Sequence, residues 1–140
     1  MSLFNDSTTT SSATTSANTP CDLWSVNVPG GSVPLHNAMA IRADGQVYEG
    51  TGGLKVTLNG QTIFDLGDSG PCVVVMGLTI WRISANAGCV SGTVAVGGGL
   101  YPIPPSTVTG LNWQAAQTLK IVGTSSVTGG VMMDRAGVQR

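Results

Sequence analysis

Residues 54–66 read LKVTLNGQTIFDL, and this stretch has the pattern of a β-hairpin. In residues 54–58 apolar and polar side chains alternate, so that an extended strand would place the apolar ones on one face. Asn59 and Gly60 then supply the pair favoured in a tight hairpin turn, where both central residues adopt a positive φ. The stretch therefore predicts two antiparallel strands joined at this turn.

The same pattern continues on both sides of this hairpin. Asp44-Gly45 is a second turn signal and separates two strand-like segments, residues 39–42 and 46–49. Residues 72–83 form the longest apolar run in the chain and predict a central strand. Elsewhere the apolar residues do not recur with the 3.6-residue period of a helix, and the many β-branched residues and glycines disfavour helix formation.

Two segments depart from this pattern. Residues 112–119 (NWQAAQTL) could carry a turn or two of helix, and residues 101–105 (YPIPP) predict a proline-rich loop. The remaining segments predict an all-β fold of about seven to nine short antiparallel strands, arranged as a jelly-roll-like sandwich or barrel.

The N-terminal region has a different composition. Ten of the thirteen residues 7–19 are Ser or Thr, and such a segment buries too little apolar surface to offset its chain entropy. We therefore expect a flexible arm at residues 1–20 and a single β domain at residues 21–140. Leu3 and Phe4 precede the polar stretch, either as stray apolar residues or as an anchor that inserts into a neighbouring subunit.

Charged residues are scarce, at 9% of the 140 residues with a net charge of −1, against about 25% in ordinary soluble domains. This composition offers no basic patch to a nucleic-acid backbone, so no nucleic-acid partner is expected. No apolar run approaches the ~18 residues of a membrane span. Residues 1–20 lack the basic start and apolar stretch of a signal peptide, so synthesis in a host cytoplasm is expected.

The three cysteines, Cys21, Cys72 and Cys89, show no paired spacing. An odd number argues against a disulfide framework, and a buried free thiol is expected at Cys72. A bridge between Cys72 and Cys89 remains an alternative. His36 and the cysteines lack the close spacing of zinc sites. No metal site and no cofactor are expected.

Residues 67–71 (GDSGP) resemble the segment around the nucleophilic serine of chymotrypsin-like proteases. His36 with Asp44 or Asp65 would then complete a catalytic triad. His36, however, lies too close in sequence to Ser69 to belong to a separate barrel. Proline at position 71 also removes a backbone donor. The segment is therefore interpreted as a turn.

The chain contains one His and one Glu, so it has little material for acid–base catalysis. We expect no enzymatic activity and no catalytic residues. Trp24 and Trp81 are expected in the core. Tyr101 and Trp113 lie near predicted loops and, with the N-terminal apolar pair Leu3 and Phe4, are the predicted interface residues.

A low charge content suits a subunit whose surface is covered by neighbours, because burying an unpaired charge is costly. The arm at residues 7–19, the hairpin at 54–66 and the Gly/Thr/Val-rich residues 119–130 together resemble small β-rich virion proteins of tailed phages, of the capsid decoration (cementing) and fibre types. The resemblance implies a homotrimer on a capsid surface that reinforces contacts between major capsid proteins, with the arm reaching a neighbour.

The function predicted from the sequence is therefore that of a structural virion protein. It would decorate a phage capsid at the virion surface and bridge neighbouring capsid subunits, with the major capsid protein as its partner. One alternative is a host- or carbohydrate-binding β module of a phage fibre or bacterial surface protein. Another is a different phage assembly part, such as a tail-tube or head-completion protein.

Overall fold

The protein is described by a computed structural model for the backbone of residues 5–139 and the side chains of residues 12–139. Its strands are β1 (Asn5–Ala13), β2 (Cys21–Val28), β3 (Ala38–Val47), β4 (Gly52–Leu58), β5 (Gln61–Asp65), β6 (Cys72–Arg82), β7 (Gly88–Val96), β8 (Gly99–Val108), β9 (Gln117–Ser125) and β10 (Val131–Gln139). The described residues contain no helix, and therefore none that could cross a membrane.

The strands form two antiparallel sheets. The large sheet has the order β1-β10-β3-β6-β7-β8, and the small sheet has the order β2-β9-β4-β5. Each sheet has two free edge strands, so the molecule is a sandwich rather than a closed barrel. The predicted antiparallel all-β fold is confirmed.

The core lies between the sheets and is built by alternation along each strand. Leu54, Val56 and Leu58 of β4 are at most 1% exposed and belong to the same buried core as Ile41 of β3 and Leu78 of β6. The predicted central strand is confirmed, since β6 pairs with β3 on one side and with β7 on the other.

The two turn signals have different outcomes. Asn59 (φ 51°) and Gly60 (φ 76°) join β4 to β5, as predicted. The turn predicted at Asp44-Gly45 is wrong, because β3 runs straight through both residues. Asp44 pairs with Val75 on one side and with Arg135 on the other, and this two-sided pairing overrides the local turn preference.

Two other segments also differ from expectation. The proline-rich residues 101–105 lie within β8 at a sheet edge, where proline is tolerated, and the β7–β8 register is irregular opposite Pro104 and Pro105. Residues 112–116 form a short turn rather than a helix, and β9 begins at Gln117. The Asn112 N–H donates to the Gln117 side-chain carbonyl at 2.8 Å and fixes this turn.

The N-terminal region lies along the large sheet. β1 pairs antiparallel with β10, with an irregular register between Thr9 and Ser12. Thr14 follows in a buried position, and its N–H donates to the Val131 carbonyl at 2.9 Å. The division into an arm at residues 1–20 and a domain at 21–140 stays a prediction. Leu3 and Phe4 lie outside the described residues.

Candidate functional site

The protease-like segment at residues 67–71 forms the loop that leads into β6. The Ser69 hydroxyl donates to the neighbouring Gly70 carbonyl at 2.8 Å. His36 lies at the other end of β6, where its N–H donates to the Arg82 carbonyl at 3.0 Å. Ten residue steps of strand, about 33 Å, separate these positions. His36 and Ser69 therefore cannot act as a catalytic pair.

The three cysteines are free thiols. Cys72 begins β6, whereas Cys89 pairs with Trp81 near its end, so the two lie almost a full strand apart and form no bridge. Cys72 is half-buried and lies 3.1 Å from the Ser69 hydroxyl. Among the described side chains, residues 12–139, no three His, Cys, Asp or Glu residues gather into a potential metal site.

The outward surface of the small sheet is polar. It carries both lysines of the chain, Lys55 on β4 and Lys120 on β9. The Lys120 ammonium lies 3.0 Å from the Asp22 carboxylate of β2, with both side chains well exposed. Such an exposed ion pair contributes little stability but keeps this surface hydrated.

The outward surface of the large sheet has a different character. On its central strand β6, Val73, Val75 and Trp81 are 60%, 46% and 56% exposed. We call this surface the outer face. Its other outward residues on β3, β6 and β7 are Ala38, Ala40, Arg42, Asp44, Gln46, Gly77, Thr79, Cys89, Ser91, Thr93 and Ala95.

The prediction that Trp81 lies in the core is wrong. The even-numbered residues of β6, from Val74 to Ile80, fill the core and are at most 2% exposed. The odd-numbered residues must therefore point outward. Trp24, in contrast, is buried in the core as predicted.

A shallow groove of about 310 Å³ crosses the outer face between β10, β3 and β6. Asp44 and Arg135 form an ion pair of 3.2 Å on its wall. Arg42 and Ala40 line its floor beside Gly137 of β10.

A second recess opens at one side of the sandwich, between the edge strands β5 and β8, which are not hydrogen-bonded to each other. We call this recess, of about 410 Å³, the edge cleft. Its apolar lining consists of Phe64, Leu66, Val94, Val96, Tyr101, Pro102, Ile103 and Pro104. Tyr101, a predicted interface residue, is 55% exposed and belongs to this lining.

Trp113, another predicted interface residue, does not reach the surface. It is 2% exposed, and its indole N–H donates to the Ala87 carbonyl at 3.0 Å. The loop that carries it folds over the end of the core, so its side chain offers no surface to a partner. Val73 and Val75 were not singled out from the sequence, because an apolar run does not reveal which side faces solvent.

Comparison with known proteins adds similarity at the level of structure. No protein-family model matches the sequence, and no curated protein matches it. Among solved structures, the chain is similar to the CBM2 module of the evolved Dit of Lactobacillus casei BL23 phage J-1, with 11% sequence identity and a TM-score of 0.29. The match covers 82% of this chain and 67% of that one. A likeness at this level assigns no function, so the proposal for this chain rests on its own surfaces.

Proposed function

We propose that this protein is a structural subunit of a phage particle that decorates the capsid and bridges neighbouring capsid subunits. The observation that carries the proposal is the outer face, where Val73, Val75 and Trp81 project from the central strand of the large sheet. Both lysines lie on the opposite surface of the molecule, and the charges named on the outer face are Arg42 and the Asp44–Arg135 ion pair.

Trp81 has the features of an interface anchor. Tryptophan is enriched among the residues that dominate binding energies, particularly where small neighbours allow a partner to exclude water. Ala38 of β3 and Cys89 of β7 flank Trp81 on the adjacent strands, and both have small side chains. A partner can therefore enclose the indole ring from both sides.

Gly77 provides separate support for a close contact. It lies in the middle of β6, and a Cβ added there would meet no atom within 4 Å. Glycine weakens a strand interior and often marks a place where another backbone approaches closely. The protein's own packing does not require glycine at this position, whereas a capsid subunit lying flat on the outer face would.

The low charge content supports the same conclusion. Only 9% of the residues are charged. A partner that covers much of the protein surface would therefore remove few charges from water, and burying unpaired charges is what makes such contacts unfavourable. The major capsid protein is the proposed partner, and the virion surface is the proposed location.

The test is uptake of the purified protein by undecorated phage capsids. We expect stoichiometric binding of the wild-type protein and at least ~30-fold weaker binding of Trp81→Ser, the range of an anchor residue. Tyr48→Ser is the matched control, because Tyr48 is an equally exposed aromatic residue in the turn after β3. Absence of wild-type binding, or equal losses in the two variants, would refute this function.

A carbohydrate-binding module is the second candidate, and the exposed ring of Tyr101 in the edge cleft favours it. Aromatic side chains with one apolar and one polar end suit binding sites that are partly hydrated. Binding to a glycan array that Tyr101→Ser abolishes, together with no uptake on capsids, would establish this alternative in place of decoration.

A further inference from the structure

We propose that the edge cleft of one copy binds Leu3 and Phe4 of a second copy, so that the protein associates with itself through its N-terminal residues. This inference goes beyond capsid binding, because it concerns contacts between copies of this chain and is tested without capsids.

The edge cleft is an apolar recess that the chain itself leaves open. Val94 is buried at its base, whereas Phe64, Leu66 and Ile103 remain half-buried because β5 and β8 do not pair. Asp65 is the charged residue among the side chains that line it. Exposed apolar surface of this kind is stabilised when another apolar group covers it.

The edge of β8 is poorly suited to pairing with another strand. Pro102, Pro104 and Pro105 have no N–H group, so a strand added along β8 could not form a continuous hydrogen-bonded ladder. An occupant of the edge cleft must therefore bind mainly through its side chains. One or two large apolar side chains on a short segment meet this requirement.

The N-terminal sequence contains such a segment. Leu3 and Phe4 are adjacent apolar residues, and the Ser/Thr-rich stretch that follows has no large apolar side chain. The ring of Phe4 would meet two aromatic neighbours in the edge cleft, Phe64 and Tyr101. Aromatic pairs in offset or edge-to-face contact are favourable beyond the area they bury.

The topology places Asn5, the residue that follows this segment, and the edge cleft of the same chain on opposite sides of the molecule. Asn5 pairs with Gln139 at the β1 edge of the large sheet, and β8 forms the other edge. Five strand spacings separate these edges, about 24 Å. The Cα atom of Phe4 lies only about 3.8 Å from that of Asn5, and that of Leu3 about 7 Å away. The segment cannot reach its own cleft, so the cleft it fills belongs to a second copy.

A contact of this kind joins two different surfaces and closes into a ring when the rotation between copies permits. The homotrimer predicted from the sequence is one such ring. Each copy would donate its N-terminal pair to the next copy and accept that of the previous one.

Light scattering coupled to size-exclusion chromatography tests the contact in solution. We expect the wild-type protein to form a closed oligomer, and the double variant Leu3→Ser/Phe4→Ser to dissociate at concentrations at least ~10-fold higher, as for loss of an interface anchor. Tyr101→Ser should have the same effect. Leu100→Ser is the matched control, because Leu100 is an exposed neighbour on β8 outside the cleft lining, and this variant should remain oligomeric.

A second experiment locates the contact directly. Copies with p-benzoylphenylalanine in place of Phe4 are mixed in ¹⁴N and ¹⁵N forms and irradiated. We expect cross-linked peptides of mixed isotope composition that join position 4 to residues 61–66 or 94–104. A monomeric wild-type protein would overturn the proposal, as would cross-links within one chain or to other surfaces. If the wild-type protein is monomeric and Tyr101→Ser loses capsid uptake, the edge cleft binds the capsid instead of a second copy. If the wild-type protein is monomeric and Tyr101→Ser loses glycan binding, the edge cleft binds a glycan instead.

Discussion

Cys21 is the side chain with the most distinctive chemistry in the described residues. It begins β2, and hydrogen bonding from the Thr15 backbone lowers the pKa of its thiol. The thiolate, which is the reactive form, therefore persists to lower pH than in an ordinary cysteine. The turn at residues 14–20 thus creates a local chemical difference that no sequence motif indicates.

We expect iodoacetamide to modify Cys21 faster than Cys72 or Cys89 near neutral pH. The rate at Cys21 should fall as the pH drops through its lowered pKa, because protonation removes the nucleophile. Mass spectrometry of labelled peptides across a pH series measures this. Thr15→Pro removes the backbone N–H and should slow labelling, whereas Thr15→Ala keeps that group and should change it little. Equal rates in the two variants would contradict the assigned cause.

The tryptophans show how far individual residues can be predicted from the sequence. Trp24 lies in a short alternating strand, and its burial follows from that pattern. Trp81 lies near the end of the apolar run at residues 72–83, in which large apolar side chains occur on both faces, so the run alone did not show that Trp81 points outward. Trp113 lies in a polar loop, and its burial depends on a hydrogen bond to Ala87, which is 26 residues away. Only the complete fold brings these two groups together.

At the scale of single strands, β6 contains Gly77, which destabilises the strand and which the packing within the sheet does not require. Replacing Gly77 by Val should raise the free energy of unfolding by about 0.5–1 kcal/mol, because the site has open space and a β-branched residue suits a strand. The same change should weaken capsid uptake, since the new side chain projects from the outer face. Urea denaturation and capsid binding measure the two effects.

The control for this variant lies on the small sheet. Thr57→Val introduces a β-branched apolar side chain on the outward surface of β4 and should leave capsid uptake unchanged. If Gly77→Val binds capsids as well as the wild-type protein does, the outer face is not the docking surface.

β1 allows the predicted arm to be tested as an element. It pairs with the rest of the sheet on one side only, through β10, and an irregular register interrupts that pairing. An edge strand that is hydrogen-bonded along one side only opens at lower free energy than a central strand. We expect the amides of residues 5–13 to exchange with deuterium faster than those of β3 or β6. Protection equal to that of β6 would show that these residues belong to the domain and that the predicted boundary at residue 20 is wrong.

The two predicted hairpin turns, Asn59-Gly60 and Asp44-Gly45, show which elements the sequence could predict and which it could not. Asn59-Gly60 lies between β4 and β5, which end at the turn and pair with each other. Asp44-Gly45 lies inside a strand that pairs along both sides with β10 and β6. Local turn preference is a small energy, and two continuous ladders outweigh it. Such distant pairing is not visible in the sequence around the turn.

At the scale of the whole molecule, the two lysines and the large exposed side chains of the outer face lie on opposite surfaces, and the outer face also carries Arg42 and the Asp44–Arg135 ion pair. Both lysines lie on the small sheet, whereas Val73, Val75 and Trp81 project from the large one. The edge cleft opens at a side of the sandwich, away from both outward surfaces. One copy can therefore contact a capsid through the outer face and a second copy through the edge cleft without competition between the two contacts.

This arrangement predicts that both contacts are insensitive to salt. The net charge is −1, and ion pairs between exposed charges, which salt screens, contribute little to the proposed contacts. We expect self-association and capsid uptake to change less than ~3-fold between ~0.05 M and ~1 M NaCl, and ammonium sulfate to strengthen both, because excluded salts favour apolar burial. Light scattering and capsid sedimentation across the salt series measure this. A loss of ~10-fold or more in NaCl would mean that Arg42, Arg135 or the lysines carry the contacts, and the apolar surfaces would no longer explain them.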